Sequence, residues 1–315
     1  MENTAFFRSL RAHIFRWPGL LAIWLGILTL PAWALTPVTL QLKWSHAFQF
    51  AGYYAAHSQG YYRDAGLAVT IRSAQPGDDP LKQVLSGQAE FGVGTSSLLL
   101  ARKRGEPVVV LAVIFQHSPL VLLSKAHDAN QGIHDLVGKR VMLEPQSDEL
   151  LAYLQQEGIS PRRITWLAHS YHPAALQSPQ IDAVSAYSTN EPYYLDQAGV
   201  AYHTYTPRAA GIDFYGDNLF TREAMLREHP DVVRAFRAAS LRGWQYAMSH
   251  PEEIIQLIRR DYASRQPVAQ LRYEAQRMLA LLRPDLIEVG YMHVGRWRHI
   301  ANTYADLGLL PRDFS

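Results

Sequence analysis

The sequence of 315 residues contains no cysteine. This absence excludes a disulfide framework, a thiolate-bound metal and a cysteine nucleophile. The sequence also lacks the HExxH zinc-protease motif, the G-x-S-x-G turn of hydrolases and the Gly-Lys-Ser/Thr ending of a phosphate-binding loop. It has no long basic run, so we expect no nucleic-acid partner. Of the thirteen histidines, His169 and His172 are three residues apart on a loop, and we expect no metal site.

The N-terminal segment has the organisation of an export signal. Arg8, Arg11 and Arg16 precede an apolar run at residues 20–30, and Ala32 and Ala34 provide the small residues that a signal peptidase recognises. The run is shorter than the roughly 20 residues that span a membrane. We therefore expect a signal peptide over residues 1–34, cleaved after Ala34, and a periplasmic location. An uncleaved N-terminal anchor is the alternative. Residues 35–315 carry 27 basic and 27 acidic side chains, so their charge indicates no anionic partner.

Strand and helix patterns alternate along the rest of the chain, which predicts an α/β fold with mainly parallel sheets. The predicted strands are 38–42, 67–71, 91–93, 108–114, 140–143, 164–168, 181–187 and 202–205. The predicted helices between them are 48–59, 79–86, 96–104, 147–156 and 192–197. After Gly216 the pattern is helical, with helices at 222–227, 231–249, 251–262 and 267–282.

Two lobes are expected from this organisation. Residues 35–125 together with 213–315 form lobe 1, and residues 126–212 form lobe 2. The chain crosses between them near 115–128 and near 206–216. Two such crossings form a two-stranded hinge, and a cleft between lobes is a preferred site for a small ligand.

Two turns with small and polar residues each join a strand to a helix. In the first lobe the turn contains Gly94, Thr95 and Ser96, and in the second lobe it contains Gln146 and Ser147. Their N–H and hydroxyl groups can hold a polar group of a ligand. If both turns face one cleft, they clamp the ligand from two sides. The alternative is that both turns only cap their helices.

Further candidate ligand-binding residues follow strands. Trp44 follows the first strand and can stack on a planar ring, although a core position is the alternative. Glu191 precedes a proline that begins a helix, and its carboxylate can accept hydrogen bonds from an amino group of a ligand or simply cap the helix. The set is completed by His46, Gln49, His117, Tyr187, Asn190 and Asp217.

Several segments together resemble a known superfamily that contains periplasmic thiamine-precursor and aliphatic-sulfonate binding proteins and the thiamine pyrimidine synthases. The resemblance covers nearly all of residues 38–310. It is carried by Lys43-Trp44, residues 49–54 (QFAGYY), 60–67 (GYYRDAGL), 87–92 (GQAEFG), 104–108 (RGEPV), 136–141 (LVGKRV), 181–184 (IDAV) and 215–221 (YGDNLFT).

The resemblance implies a type II periplasmic-binding-protein fold that closes on a small ligand. In the thiamine-precursor binders a tryptophan stacks on the pyrimidine and a glutamate binds it, and these roles fall on Trp44 and Glu191. The resemblance thus implies an exported solute-binding protein of an ABC-type importer. Its ligand would resemble a thiamine pyrimidine precursor, and its partner would be an inner-membrane permease.

Two alternatives come from the same superfamily. Residues 49–54 and 215–219 also resemble periplasmic input domains of membrane-bound kinases and cyclic-di-nucleotide synthases, so a ligand-sensing module is the first. The second is a thiamine pyrimidine synthase, which the residues disfavour. Gly94 stands at the place of the lysine that holds pyridoxal phosphate, Ser97 and Leu98 at the place of a histidine, and Phe214-Tyr215-Gly216-Asp217 at the cysteine-rich iron motif. We therefore expect no enzyme activity and no cofactor.

Overall fold

The structure is a computed structural model that describes residues 34–75, 77–126, 132–170, 172–262 and 264–314. The predicted signal peptide lies outside the described residues, apart from Ala34. Residues Leu35–Ser315 form one compact unit.

Ten strands and eleven α-helices make up the described part of the chain. The strands are β1 Thr36–Gln41, β2 Leu67–Arg72, β3 Phe91–Gly94, β4 Val108–Phe115, β5 Leu120–Lys125, β6 Arg140–Leu143, β7 Thr165–Ala168, β8 Ala183–Tyr187, β9 Tyr202–Tyr205 and β10 Gly216–Arg222. The helices are α1 Ala51–Ser58, α2 Tyr61–Asp64, α3 Pro80–Leu85, α4 Leu98–Lys103, α5 Asp148–Gln156, α6 Glu191–Gln197, α7 Glu223–Glu228, α8 Pro230–Ser249, α9 Pro251–Asp261, α10 Val268–Leu282 and α11 Val294–Asp306. Short 3-10 helices cover Phe48–Phe50, Ile133–Leu136, Pro161–Arg163, Ala175–Gln177 and Pro207–Ala210.

The first sheet has the order β2-β1-β3-β10-β4. Strands β1, β2 and β3 run parallel, whereas β10 runs antiparallel to both of its neighbours. The chain from Gly216 onward was expected to be helical, and the structure corrects this for residues 216–222. They form a strand because the first six residues of β10 are buried between β3 and β4, where backbone groups need partners on both sides.

The second sheet has the order β7-β6-β8-β5-β9. Strands β6, β7 and β8 are parallel, and β5 is antiparallel to β8 and β9. Strand β5 was not predicted, and it pairs in the second sheet although its residues fall in the range expected for lobe 1. Both sheets are therefore mixed rather than mainly parallel. The chain passes between them at residues 116–119 and 206–215, while the lobe boundaries themselves stay a prediction.

Aromatic stacking and close helix contact hold the first sheet against its helices. The ring of Phe91 on β3 stacks on Phe236 of α8 with centroids 3.9 Å apart. Helices α1 and α8 cross with almost no space between them, because a Cβ atom on Gly243 would lie 2.1 Å from the Gly52 carbonyl oxygen. Helix α11 was not predicted and adds Ile300 and Tyr304 to the same core. This packing fixes the carboxyl ends of β1 and β3, which carry part of the site.

Candidate ligand-binding site

The carboxyl ends of the parallel strands of both sheets meet at one place. Lys43 and Trp44 follow β1, Thr95 follows β3, Glu144 follows β6 and Asn190 follows β8. The ends of parallel strands are where α/β folds bind ligands, because loops and helix starts converge there. Side chains from the two sheets make direct contact in this region.

Buried Lys43 joins both sheets. Its Nζ lies 3.3 Å from the Glu144 carboxylate and donates to the Tyr187 hydroxyl at 2.5 Å. The Tyr187 hydroxyl donates in turn to Asp217 at 2.9 Å, and the Gln49 amide donates to the same carboxylate at 2.7 Å. Lys43 thus compensates part of the negative charge that Glu144 and Asp217 bring into the interior.

The Glu191 carboxylate is held by its own turn. It accepts hydrogen bonds from the Tyr187 backbone N–H at 2.7 Å and from the Asn190 amide at 3.0 Å. The Gln270 amide donates to the Asn190 side-chain oxygen at 2.6 Å, which ties this turn to α10. The Tyr187 N–H lies before α6, so this bond holds the turn after β8 and does not cap the helix. A ligand that donates to Glu191 would use a free lone pair of this carboxylate.

Four carboxyl groups of this region have raised pKa values because burial disfavours their charged form. Burial raises the pKa of Asp217 to about 6 and that of Glu191 to about 7. Burial likewise raises the pKa of Glu149 and of Glu274 to about 8. The interior near the strand ends is therefore rich in acidic groups that hold protons close to neutral pH.

The two predicted turns contact each other directly. The Thr95 N–H donates to the Gln146 side-chain oxygen at 3.2 Å, and the Thr95 and Ser97 hydroxyls donate to the Gln146 carbonyl at 3.0 and 3.1 Å. A Cβ atom on Gly94 would lie 3.1 Å from the Gln146 side-chain oxygen, so glycine permits this approach. In this structure Gln146 accepts hydrogen bonds from the Thr95 N–H and from the Thr95 and Ser97 hydroxyls, so these groups already have a partner within the protein.

Three other candidate ligand-binding residues have partners within the protein. The Ser96 hydroxyl donates to the Tyr215 carbonyl at 2.8 Å, and the Ser147 hydroxyl donates to the Glu144 carbonyl at 2.8 Å. His117 lies on the first passage between the sheets, and its Nδ1 is 2.9 Å from Asp213 on the second passage. His117 is thus placed at the connections between the sheets.

An aromatic cleft of about 810 Å³ opens beside the polar network. Rings from separate parts of the chain line it, namely Trp44, His46, His172, Tyr194 and Tyr262. Arg265 also lines the cleft. His46 lies 5.1 Å from the Tyr262 ring, and Trp44 lies 5.5 Å from the His169 ring. The buried side-chain oxygen of Gln266, also on this wall, has no hydrogen-bond partner among the described residues. The cleft therefore offers ring faces together with an acceptor.

A much smaller cavity lies within the polar network and shares Trp44 with the cleft. Its volume is about 10 Å³, and it is lined by Lys43, Trp44, Gln49, Glu144, Tyr187, Asn190 and Glu191. A cavity of this size holds about one water molecule. The structure thus brings Trp44, Gln49, Tyr187, Asn190 and Glu191 together as expected neighbours. This cavity is too small for an aromatic ring. A ligand ring beside these residues must therefore lie in the aromatic cleft or enter when the two sheets separate.

Sequence reasoning missed several residues of this region. Lys43 and Glu144 were not among the candidates, although each follows a strand directly, which was the signal used for Trp44. Tyr194 and Tyr262 carry no local signal, since they come from α6 and from the end of α9 and meet only in the fold. His172 drew notice only for its spacing from His169.

Within the described ranges, no group of three or more His, Cys, Asp or Glu side chains is arranged to hold a metal ion. None of the helices described is long and apolar enough to cross a membrane.

Two joined α/β sheets with a cleft at their strand ends define a periplasmic-binding-protein fold. The same fold occurs in the alkanesulfonate-binding protein SsuA of Xanthomonas axonopodis pv. citri, solved with bound MOPS. Its TM-score is 0.67 at 16% identity over 89% of this chain and 96% of that chain. The family follows from the sequence: residues 47–254 match the NMT1/THI5-like family, and the chain belongs to it.

Two curated relatives are named as binding proteins. The riboflavin-binding protein RibY of Chloroflexus aurantiacus is 28% identical over 232 residues, which cover 71% of this chain and 66% of the relative. The formylaminopyrimidine-binding protein of Halalkalibacterium halodurans is 26% identical over 234 residues, covering 71% of this chain and 70% of the relative. The chain is therefore similar to solute-binding proteins for small ligands.

Proposed function

We propose that this protein is an exported solute-binding protein that captures a planar nitrogen heterocycle and presents it to an ABC-type permease of the inner membrane. One observation carries the proposal, namely the aromatic cleft beside buried carboxylates at the strand ends of both sheets. Ring faces bind a planar ligand by stacking, and carboxylate and amide oxygens accept hydrogen bonds from ring N–H and amino groups.

Trp44 is the proposed stacking residue, because it lines both the aromatic cleft and the small polar cavity. Glu191 is the proposed acceptor for an amino group. Gln266 supports a nitrogen-rich ligand, since its buried oxygen on the cleft wall has no partner among the described side chains and backbone groups. A buried acceptor of this kind is stabilised when a ligand donates to it.

Two ring sizes are candidates. A thiamine pyrimidine precursor is supported by the resemblance and by the relative that binds formylaminopyrimidine. A flavin is supported by the relative named riboflavin-binding and by the cleft volume of about 810 Å³. That volume lies within the range of roughly 300–1,000 Å³ for pockets that enclose drug-sized ligands.

The test is a calorimetric titration of the full chain with formylaminopyrimidine, riboflavin and MOPS. We expect binding of at least one heterocycle, at least tenfold weaker in Trp44→Ala and in Glu191→Ala. Trp166→Ala is the matched control, because this exposed tryptophan on β7 lies outside both cavities and its loss should leave affinity unchanged. Binding of MOPS alone would exclude a heterocycle as the ligand. Absence of binding by all three probes would also contradict the proposed ligand class.

A further inference from the structure

The turn that contains Gln146 has an unusual backbone. Gln146 has a φ of 61°, in the left-handed region that non-glycine residues rarely adopt. Such a conformation persists only where surrounding contacts hold it. The hydrogen bonds described above that Gln146 accepts come from Thr95 and Ser97, which belong to the turn after β3 in the other sheet.

A second residue repeats this combination. Asp217 on β10 has a φ of 48°. It accepts a hydrogen bond from the hydroxyl of Tyr187, the last residue of β8 in the second sheet. Outside these two, Arg283 at the end of α10 is the remaining non-glycine residue with positive φ in the described chain. Two of three such residues thus lie at contacts between the sheets.

Several hydrogen bonds converge on Gln146 at the contact between the two turns. Gln146 accepts with both its side chain and its carbonyl, so it receives three hydrogen bonds from two residues. Glu144, two residues earlier, adds the ion pair to Lys43. Separation of the sheets at the cleft would break all of these bonds together and would remove what holds Gln146 in its left-handed conformation.

We propose that Gln146 is a latch residue that holds the cleft closed by direct contact with Thr95 and Ser97. It acts as a positioning residue, because it keeps the ligand-facing strand ends of both sheets together. Opening of the cleft requires release of Gln146, and its return to the strained conformation accompanies closure. The latch needs two sheets that can separate, as the proposed function does, but it needs no particular ligand.

The test measures the separation of the sheets without ligand. Because the chain has no cysteine, Lys82→Cys on α3 and Arg162→Cys beside β7 allow two spin labels to be placed at exposed positions, one beside each sheet. The distance distribution is then measured by pulsed electron paramagnetic resonance in the full chain. The double variant Thr95→Val/Ser97→Ala removes both hydroxyl donors to the Gln146 carbonyl. Gln146→Ala removes the side-chain acceptor and keeps a side chain that disfavours the left-handed backbone.

We expect the double variant and Gln146→Ala each to shift the distribution to longer distances. Gln146→Asn, which tolerates the left-handed region but is one methylene shorter, should give a smaller shift. Arg283→Ala is the control, because it changes a left-handed residue away from the cleft and should leave the distribution unchanged.

A distribution in Thr95→Val/Ser97→Ala and in Gln146→Ala that equals that of the wild type would overturn the latch. An equal shift in Arg283→Ala would overturn it as well, since a change at any left-handed residue would then explain the result. Because no ligand is used, either result leaves the test of the proposed ligand independent.

Discussion

At the scale of single residues, Lys43 links the two sheets although it was not among the candidates that the sequence singled out. It lies at the end of β1, yet it contacts Glu144 after β6 and Tyr187 at the end of β8. Its ammonium group also lies 4.5 Å from the centre of the Tyr187 ring. A buried cation in contact with one carboxylate and near a second is costly to remove, because the carboxylates remain without compensation.

Lys43→Met tests this role. We expect it to lower the free energy of unfolding by about 3–5 kcal/mol, the cost of breaking a buried ion pair from one side. The double variant Lys43→Met/Glu144→Leu should recover part of that loss, because the ion pair is gone while Asp217 remains without the lysine. Chemical denaturation followed by circular dichroism measures both values. Lys82→Met, at an exposed lysine, is the control, and an equal loss there would contradict the argument.

At the scale of secondary-structure elements, the crossing of α1 and α8 depends on two glycines. The contact of Gly243 with the Gly52 carbonyl and with Ala56 leaves no space for a methyl group, and a Cβ on Gly52 would overlap the Trp244 ring. Helix α1 begins close behind the strand end that carries Lys43 and Trp44. The crossing therefore fixes the position of one wall of the cleft.

Gly243→Ala should destabilise the protein by about 3 kcal/mol, the upper part of the usual range for overpacking, because backbone rather than a flexible side chain is in the way. Thermal unfolding measures the change. Gly132→Ala provides the comparison, since a Cβ there would have no neighbour within 4 Å. A Gly243→Ala protein as stable as the Gly132→Ala protein would show that the helices can separate without cost.

Elements that are regular along the sequence could be predicted, and those defined by distant partners could not. The strands around Leu40, Val69 and Val110 and the long helices α8 and α10 follow apolar periodicity and were expected within a few residues. Strand β10 contains Asp217 and Asn218, whose burial depends on partners in β3, β4 and β8, so its local pattern does not indicate a strand. Likewise, Trp44 was found as a ring at a strand end, whereas Tyr262 joins the cleft only through the packing of α9.

At the scale of the whole molecule, four buried carboxyl groups take up protons on folding. Asp217, Glu191, Glu149 and Glu274 all have folded-state pKa values above their ordinary ones of about 4, because burial disfavours the carboxylate. Between these two sets of values the folded protein binds more protons than the unfolded chain. The stability that these groups contribute is fully present below about pH 4 and is lost as the pH rises through 6 to 8.

We therefore expect a lower melting temperature at pH 8.5 than at pH 5. Glu274→Gln should reduce the corresponding difference in the free energy of unfolding by at least about 1 kcal/mol, since one pKa unit corresponds to roughly 1.4 kcal/mol. The amide oxygen of the variant can still accept from the Phe48 N–H. Scanning calorimetry at both pH values gives the comparison. Glu252→Gln, an exposed group whose pKa is lowered by Arg272, should leave the difference as it is. A melting temperature that rises toward pH 8.5 would contradict the assignment.

The place of β10 has a consequence for the order in which the protein is made. Strand β10 lies between β3 and β4, but it follows all five strands of the second sheet along the chain. Whether the chain folds as it leaves the ribosome or as it leaves an export channel, residues 120–205 emerge while β3 and β4 still lack their common neighbour. Until residues 216–222 emerge, the nascent first sheet has two open edges that can pair with other chains. The late arrival of one seven-residue strand joins the earliest-made part of the protein into a sheet.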